Sequence, residues 1–387
     1  MYKAVKYRLY PTQNQKELLS QSFGNVRWLY NYLLNLNIET YKATGKGLTR
    51  NQMQKLLPSL KKNEETEWLA NTYSQCLQVV CLHLSEAYRN FFQKRGGFPK
   101  FKSKHNKQSI TYPQNVRLED NAIKFPKLGS IYAKITKRPA GSVKTVVVTM
   151  NCVGQYFASV LFDDGLPTPV ASASSSDKAI GIDLGLTHFA ITSDGSKFSN
   201  PKWFKKHEKN LKIKQQKLSR KQKGSSNRNK ARRQVAVVHN KITNCRADFQ
   251  HKLSRRIVNE NQVICVESLA ISNMVKNRKL SKAISQVGWG MFLTMLKYKA
   301  EQEGKVYVEI DRWFPSSKTC NVCLNQVSHL PLDIRHWDCS SCHTCHDRDI
   351  TAAKNIRDEG LRILELGTSS TAYRPDVKLD GSFCVIK

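Results

Sequence analysis

The sequence contains no run of the roughly 18 consecutive apolar residues that would cross a membrane as a helix. Its first residues, MYKAVKYRLYPTQNQ, also lack the apolar core of a secretory signal. These two absences predict an intracellular, cytoplasmic protein with no membrane partner. The 11 cysteines are then expected to be thiols or metal ligands, because disulfides are rare in that compartment.

Acidic residues are scarce compared with basic ones. The 387 residues include 30 Asp plus Glu against 63 Lys plus Arg, which gives a formal net charge of +33. The hydrophobic content of 40% is that of a folded protein rather than a disordered tail. This imbalance predicts a polyanion partner, because neutralising many phosphates releases counterions and drives binding. The length is sufficient for two or three domains.

Five of the cysteines are concentrated between residues 320 and 345. Cys320 and Cys323 form one CxxC pair, and Cys339 and Cys342 form another, with 15 residues between the pairs. This spacing predicts a zinc ribbon, in which two turns supply four thiolates to one tetrahedral ion. Cys345 is close enough in sequence to be the fourth ligand instead, although the CxxC spacing favours Cys342. A closed site of this kind stabilises the local fold by on the order of 10 kcal/mol.

The first half of the chain changes from a strand pattern to a helix pattern and back. Residues 1–10 alternate like a strand, and the segment from residue 11 to about 94 carries apolar residues at helical spacing. Short strand patterns then recur from residue 110 to about 165. We therefore expect a small β-barrel with an inserted helical segment. The loop RGGFPKFKSKHNKQS, which includes Lys100, Lys102 and Lys104, suits a phosphate backbone.

A strongly basic stretch extends from Lys202 to Arg233. It contains 14 Lys or Arg and a single acid, Glu208. A solvated helix of ordinary function would interleave both signs of charge, so one dominant sign favours contact with nucleic acid. The candidate contact residues are Lys205, Lys206, Lys217, Arg220, Arg228, Arg232 and Arg233.

The second half follows a linker-like segment, residues 166–177. AIGIDLG and HFAITSDG predict a hairpin, NQVICVESLAI and KVYVEIDRWF predict later strands, and DRDITAAKNIRDEGLRIL predicts a final helix. Helical patterns separate these strands. This order of elements is that of an RNase H-like α/β domain.

Three carboxylates lie at the ends of these predicted elements. Asp183 belongs to the first strand, Glu267 ends a later strand, and Asp349 begins the final helix. In an RNase H-like domain such acids meet at one edge of the sheet, where they would repel one another unless divalent cations neutralised them. Oxygen ligands of this kind select Mg²⁺ or Mn²⁺ over zinc. Two such ions would support in-line phosphodiester cleavage.

The motifs GIDLGL, VICVESL and CHDRDITAAKNI, with FPSSKTCNVC and WDCSSC between the last two, resemble the RuvC motifs and zinc ribbon of the TnpB family. This family of transposon-encoded proteins is related to miniature type V CRISPR effectors. The segments YKAVKYRLYPTQNQ, GNVRWLYNYLL and GGFPKFKSK resemble the family's N-terminal half. The resemblance covers about residues 1 to 365.

The resemblance implies an RNA-guided DNA endonuclease. Such a protein binds a guide RNA from the transposon end, recognises a short target-adjacent motif and cuts both strands of target DNA at one RuvC site. We expect a monomer in the RNA complex, associated with the nucleoid of a prokaryotic cell. Asp183, Glu267 and Asp349 would be the catalytic acids that bind two Mg²⁺ or Mn²⁺ ions, while the four cysteines would bind one Zn²⁺.

The resemblance also implies a domain organisation. The target-adjacent motif would be read by the helical segment and the barrel, with Tyr73, Ser74, Gln75 and Gln78 as candidates. The expected domains are a wedge β-barrel (1–10 and 110–165), a helical recognition domain (11–109), a linker (166–177), a RuvC nuclease domain (178–318 and 346–366), a zinc ribbon (319–345) and a loose tail (367–387).

Three positions depart from the family pattern. Leu324 and His343 stand where glycine usually follows the second cysteine of each pair, and Thr351 stands where asparagine is usual. Glycine at such turns commonly supplies a positive φ, so the replacements would strain them. Thr351 retains a hydrogen-bond donor.

Two alternative functions have other signatures. A nuclease-inactive RNA-guided DNA-binding repressor would share every feature except working carboxylates, and all three acids are present. An actin-like ATPase would share the GIDLGLT hairpin but would require further glycine-rich phosphate loops. We find no convincing ones, and an ATPase would not need a charge of +33.

Overall fold

The computed structural model describes residues 1–171, 178–331 and 333–365. The chain forms two compact units, Met1–Pro167 and Thr168–Lys387. Part of the predicted linker, residues 172–177, and the predicted tail, residues 367–387, lie outside the described residues. Among the described residues, none of the helices combines the length and the apolar character that crossing a membrane requires.

The N-terminal unit is built on one antiparallel sheet of seven strands. In chain order the strands are β1 (Tyr2–Tyr10), β2 (Gln108–Tyr112), β3 (Arg117–Leu118), β4 (Ala122–Phe125), β5 (Gly129–Lys134), β6 (Ser142–Met150) and β7 (Tyr156–Asp163). Their spatial order is β2-β6-β7-β1-β5-β4-β3. Buried and half-buried residues alternate along β7, as expected for a strand with one face on a core.

The two edge strands of this sheet, β2 and β3, come from a stretch that the sequence pattern predicts as one strand, SITYPQNVRL. Between them the extended conformation is interrupted at Pro113 and at Asn115, whose φ is 63°. Ile110 on one edge and Leu118 on the other belong to the same buried core, so the sheet curls around it. Within the described residues, no ladder closes the sheet between β2 and β3.

The helical insertion follows β1. It consists of α1 (Gln13–Thr44), α2 (Arg50–Lys55), α3 (Leu57–Lys62), a short 3-10 helix (Glu67–Asn71) and α4 (Ser74–Phe92). Helix α1 begins at a capping box between Thr12 and Gln15 and ends at Gly45, whose φ of 70° suits a glycine. Its first half contributes Leu19 and Phe23 to the core of the sheet. Its second half contributes Leu29, Tyr30, Leu33 and Leu34 to a separate core shared with α4.

The C-terminal unit contains a five-stranded sheet, β8 (Ala179–Asp183), β9 (His188–Thr192), β10 (Lys197–Ser199), β11 (Val263–Glu267) and β12 (Val306–Ile310). The spatial order is β10-β9-β8-β11-β12. The first three strands are antiparallel, whereas β11 pairs in parallel with both β8 and β12. The predicted order of strands and helices is present, and β10 was not predicted.

Helices cover both faces of this sheet. They are α5 (Trp203–Ser219), α6 (Ser226–Glu260), α7 (Ile271–Met274), α8 (Ser281–Val287), α9 (Trp289–Gln302) and α10 (Arg348–Glu365). One face, with Ile264 and Val266 of β11, packs against α6 and α9. The other face, with Val263 and Cys265, packs against Ile356 of α10. A small hairpin, β13 (His336–Asp338) and β14 (Cys345–Asp347), lies between β12 and α10 in the chain.

Candidate nuclease edge and zinc ribbon

Two of the three predicted acids end neighbouring parallel strands. Asp183 is the last residue of β8 and Glu267 is the last residue of β11. The ladder pairs Ile182 with Val266, so the next residue on each strand is one of the two acids. Adjacent strands are about 4.8 Å apart. The register therefore places Asp183 and Glu267 side by side at the carboxyl edge of the sheet.

Helix α10 packs at very short distance on the face of the sheet that carries Val263 and Cys265. A Cβ atom on Gly181 would lie 1.9 Å from the carbonyl oxygen of Ala353, and one on Gly360 would lie 2.3 Å from Sγ of Cys265. Gly181 and Asp183 are two residues apart and point to the same face, as do Cys265 and Glu267. Both acids therefore point to the face that α10 covers.

The third acid, Asp349, lies in the first turn of α10. It precedes Ala353 by one helical turn, about 6 Å, and Ala353 contacts Gly181. Asp183 lies two residues beyond Gly181, which is also about 6 to 7 Å along the strand. The helix thus carries Asp349 toward the edge where Asp183 and Glu267 lie.

The electrostatic state of Asp183 reflects this arrangement. Burial first, and then the negative charges of Asp349 and Glu267, raise the pKa of Asp183 to about 7. The Leu184 N–H and the Arg348 guanidinium oppose that rise. Burial also raises the pKa of Glu267. Asp183 as a residue is half-buried, although protein atoms crowd its carboxylate.

The three carboxylates are near neighbours without forming a compact ligand set. Asp349 accepts a hydrogen bond from Arg335 Nη1 at 2.9 Å, which forms an ion pair. Among the described residues, the four cysteines are the one group of three or more Cys, His, Asp or Glu whose ligand atoms all lie within 4.8 Å of one another.

The four predicted zinc cysteines, Cys320, Cys323, Cys339 and Cys342, form that compact group. Sγ of Cys320 lies 3.6 Å from Sγ of Cys342, and Sγ of Cys323 lies 3.5 Å from Sγ of Cys339. Four sulfurs at about 2.3 Å from a tetrahedral zinc would be about 3.8 Å apart, so the cluster has the size of a zinc site. The backbone N–H groups of Cys342 and Ser341 lower the pKa of Cys339 to about 6. Although the backbone N–H of Asn325 opposes the change, burial and hydrogen bonds with the other thiols raise the pKa of the neighbouring Cys323 to about 11.

The two cysteine turns have the same backbone geometry. The N–H of Leu324 donates to the carbonyl of Cys320, and the N–H of His343 donates to the carbonyl of Cys339, both at 3.0 Å. Leu324 has φ 61° and His343 has φ 55°. Both residues therefore adopt the left-handed conformation for which glycine is favoured, as the departure from the family pattern predicted.

Cys345 lies outside the thiol group. It is exposed on β14, and the neighbouring Asp338 carboxylate raises its pKa. The adjacent residue, His346, is buried instead, with Nε2 at 3.1 Å from Sγ of Cys320. The structure thus brings Cys342 rather than Cys345 to the other three thiols.

The predicted basic contacts of the C-terminal unit lie on a helical hairpin formed by α5 and α6. Leu211, Val238 and Ile242 hold the two helices together. Arg228 donates to the carbonyls of Leu218 and Lys221, so it closes the turn between the helices rather than facing solvent. The other predicted contacts are exposed: Lys205, Lys206, Lys217, Arg220, Arg232 and Arg233.

The predicted contacts of the N-terminal unit have mixed environments. Lys100 and Lys104 are exposed. Lys102 retains exposed surface, but its Nζ lies 3.8 Å from the centre of the Tyr30 ring and burial lowers its pKa to about 8. The ring contact shows that the ammonium is folded back onto α1.

The four candidates for motif reading lie at the start of α4. Tyr73 stacks on Tyr112 with ring centres 6.3 Å apart and accepts a hydrogen bond from Asn115. Ser74 accepts a hydrogen bond from Lys61 Nζ at 2.7 Å. Gln75 is half-buried, and Gln78 is exposed.

Sequence reasoning missed several residues that shape the site. Gly181 and Gly360 allow α10 to pack closely on the sheet because they have no Cβ. Arg335 forms an ion pair with Asp349, and His346 contacts Cys320 of the thiol cluster. The glycine of GIDLG lies two residues before the acid on a buried strand, which could have signalled a close approach. Nothing in the sequence indicates the contact of Arg335, because it depends on the fold of the ribbon.

Comparisons with known proteins agree with these features. Residues 166–278 match a family described as "Probable transposase", residues 289–356 match a "Cas12f1-like, TNB domain", and residues 1–46 match a "Helix-turn-helix domain". In the structure, residues 13–44 of this last segment form one uninterrupted helix.

Two curated relatives cover nearly the whole chain. A protein of Streptomyces pristinaespiralis, described as "Putative RNA-guided DNA endonuclease", is 40% identical over 365 residues, which is 93% of this chain and 89% of that protein. InsQ of Escherichia coli (strain K12), with the same description, is 30% identical over 389 residues and covers 96% of each chain.

Among solved structures, the chain is similar to Cas12f1 in the cryo-EM structure of the Cas12f1-sgRNA-target DNA complex. The TM-score is 0.54 at 13% identity, with 92% of this chain and 98% of that chain covered. This likeness shows that the two proteins share an α/β multi-domain fold. The two curated relatives confirm the family predicted from the motifs. The chain belongs to the TnpB family.

Proposed function

We propose that the protein is an RNA-guided DNA endonuclease of a transposon. It binds a guide RNA derived from the transposon end, recognises a short target-adjacent motif and cleaves both strands of target DNA at one site. The observation that carries the proposal is the placement of Asp183, Glu267 and Asp349 toward one edge and one face of the five-stranded sheet.

The strand order supports an RNase H-like, RuvC-type nuclease domain. The sheet consists of three antiparallel strands followed by two parallel ones, and its first strand in the chain, β8, is at the centre. In this arrangement the first strand, the fourth strand and the last helix each deliver one acid. We assign residues 178–318 and 346–366 to this domain, 319–345 to the ribbon, 1–10 and 110–165 to the wedge, and 11–109 to recognition.

The carboxylates fit divalent cations. The rise in the pKa of Asp183 comes from burial and from the two other acids, and a cation held there would oppose that rise. Oxygen donors favour Mg²⁺ or Mn²⁺, and Asp183, Glu267 and Asp349 would hold two such ions, whose chemistry would be activation of a water and stabilisation of the leaving oxygen. Asp183 and Glu267 are held by the strand ladder, while α10 positions Asp349. Arg335 forms an ion pair with Asp349, and a cation bound at this edge would compete with that pair.

The thiol cluster fits one structural zinc. Four ligands close the coordination sphere, so Cys320, Cys323, Cys339 and Cys342 hold the ribbon together and take no part in cleavage. The ribbon lies between β12 and α10 in the chain, next to Asp349.

The positive charge supports the nucleic-acid partners. The exposed cations of the α5–α6 hairpin present one sign of charge along two helices, which suits a phosphate backbone. In the N-terminal unit, Lys100 and Lys104 suit the same role, and the start of α4 with its exposed Gln78 is the candidate reader of the target-adjacent motif.

The decisive test replaces Asp183 with Asn. This change removes the charge and preserves the shape, so we expect plasmid cleavage by the RNA-loaded protein to fall by about 10³-fold or more. The bound RNA, measured after ribonuclease treatment, should be unchanged. Glu260→Gln, an exposed acid on α6, is the matched control.

Two results would contradict the proposal in different ways. A preparation from a native source that carries no RNA would remove the guided function. An RNA-loaded protein that binds matched DNA and never cleaves it, whatever stands at position 183, would instead support the nuclease-inactive repressor.

A further inference from the structure

A buried histidine bridges the thiol cluster and helix α10. His346 on β14 is 4% exposed, and its Nε2 lies 3.1 Å from Sγ of Cys320. Its Nδ1 lies 3.3 Å from Oγ1 of Thr351, which is 3% exposed. The ring also packs against Trp337, with ring centres 4.6 Å apart. Both nitrogens are thus occupied, and the ring has little freedom to turn.

The chemistry of the two neighbours assigns the protons. A metal-bound thiolate can only accept a hydrogen bond, so Nε2 carries the hydrogen when Cys320 is a ligand. Nδ1 of the neutral ring is then an acceptor, and the Thr351 hydroxyl donates to it. A threonine inside a helix usually donates to the carbonyl four residues before it. Here the hydroxyl is instead directed to His346.

Thr351 is well placed to hold the start of α10. It lies two residues after Asp349 and two residues before Ala353, which contacts Gly181 on β8. A shift of the first turn relative to the ribbon would therefore move Asp349 relative to Asp183. The sheet anchors the helix further along, so the bridge from Cys320 supports the turn nearest the acids.

We propose that His346 is a positioning residue that links zinc-bound Cys320 to Thr351 and thereby fixes the first turn of α10 and Asp349. This proposal rests on the proposed zinc site and nuclease function. It gives Thr351 the role of hydroxyl donor at the position where asparagine is usual in the family.

The test separates the two halves of the bridge. Thr351→Val removes the hydroxyl and nearly preserves the volume, whereas Thr351→Ser keeps the donor. His346→Gln offers an N–H near the position of Nε2, and His346→Asn offers an acceptor near the position of Nδ1. His329→Gln, at an exposed histidine of the ribbon, and Thr294→Val, at a threonine of α9, are matched controls.

Three readouts are needed. The rate of zinc transfer to a chromophoric chelator reports the Cys320 side, and DNA cleavage by the RNA-loaded protein at varied Mg²⁺ concentration reports the Asp349 side. The nitrogen chemical shifts of His346 in ¹⁵N-histidine-labelled protein report the tautomer without any need for activity.

We expect Thr351→Val to lower the rate of DNA cleavage by about tenfold, which is within the range seen when residues that orient metal ligands are mutated. The Mg²⁺ concentration that this variant needs for half-maximal cleavage should rise. Its zinc transfer rate should stay close to that of the unmodified protein, and Thr351→Ser should restore cleavage. His346→Asn should speed zinc transfer, and His346→Gln should not. Combining His346→Gln with Thr351→Val should add little to either change alone.

The proposal fails if Thr351→Val cleaves DNA at the unmodified rate and Mg²⁺ dependence, or if the two substitutions add fully. It also fails if the zinc-loaded protein shows the hydrogen of His346 on Nδ1. An unmodified protein that shows the expected tautomer and never cleaves DNA would reject the nuclease function and leave the bridge from Cys320 to Thr351 in place.

Discussion

The C-terminal unit contains two clusters of potential metal ligands that are assembled to different degrees. The four thiol sulfurs all lie within 4.8 Å of one another, whereas the three carboxylates are spread along a sheet edge and one of them pairs with Arg335. The thiols pair through hydrogen bonds at contact distance, whereas three carboxylates repel one another. The thiol cluster is therefore preassembled, whereas the acidic edge is not.

The largest effect should come from breaking the preassembled cluster. Cys342→Ser removes one of four thiolates, and we expect loss of the zinc and of metal-coupled folding energy on the order of 10 kcal/mol in the ribbon. Elemental analysis of the purified protein measures the zinc content. Cys345→Ser is the matched control and should retain one zinc per chain. If the two variants behave in the opposite way, Cys345 is the fourth ligand.

The close packing of α10 on β8, which positions the carboxylates, should be disrupted by a single added methyl group. Gly181→Ala places a Cβ 1.9 Å from the Ala353 carbonyl oxygen, so α10 must move away from β8. We expect a loss of about 3 kcal/mol in the free energy of unfolding, together with reduced DNA cleavage. Chemical denaturation measures the first effect. At Gly97 nothing lies within 4 Å of an added Cβ, and Gly97→Ala should leave the free energy of unfolding unchanged.

The repulsion at the edge predicts a pH dependence of the metal-free protein. The pKa of Asp183 rises from 3.8 to about 7 on folding, so the folded protein retains a proton that the unfolded chain has lost between these values. Stability should therefore fall as the pH rises from about 4 to about 7. Mg²⁺ should raise the melting temperature more at pH 8 than at pH 5.5, as measured by calorimetry. Asp183→Asn should abolish that difference, and an equal shift in both proteins would locate the bound Mg²⁺ elsewhere.

The smallest effect concerns the two cysteine turns. Leu324→Gly and His343→Gly each relieve a left-handed backbone conformation, and each should stabilise the zinc-loaded ribbon by about 1 kcal/mol. Thermal unfolding with zinc bound measures the gain. Val322→Gly, at an exposed position of the first turn with no positive φ, should give no gain. Stabilisation by all three variants would mean that the turns carry no strain.

Much of this fold was predictable because its signals are local. The alternation of β1, the helical spacing in α1 and α6, the paired cysteines and the acid at the start of α10 can all be recognised in short windows of sequence. The left-handed backbone at Leu324 and His343 was predicted as well, because departures from a known pattern show where glycine is usual.

The contacts that were missed depend on distant parts of the chain. Arg335 meets Asp349 only after the ribbon has folded, and Arg228 is withdrawn from solvent only because it closes the turn between α5 and α6. Lys102 belonged to a basic loop by composition, yet its ammonium contacts Tyr30, 72 residues away in the sequence. Charge patterns indicate a partner but do not show which cations remain free to reach it.

Helix α1 has a mechanical consequence for the N-terminal unit. Because the continuous helix α1 packs in both the sheet core and the helical core, we expect the unfolding of the two cores to be coupled. A force applied to one end of α1 would be transmitted to both cores. A flexible hinge introduced near Gly24 would turn one cooperative body into two that melt separately.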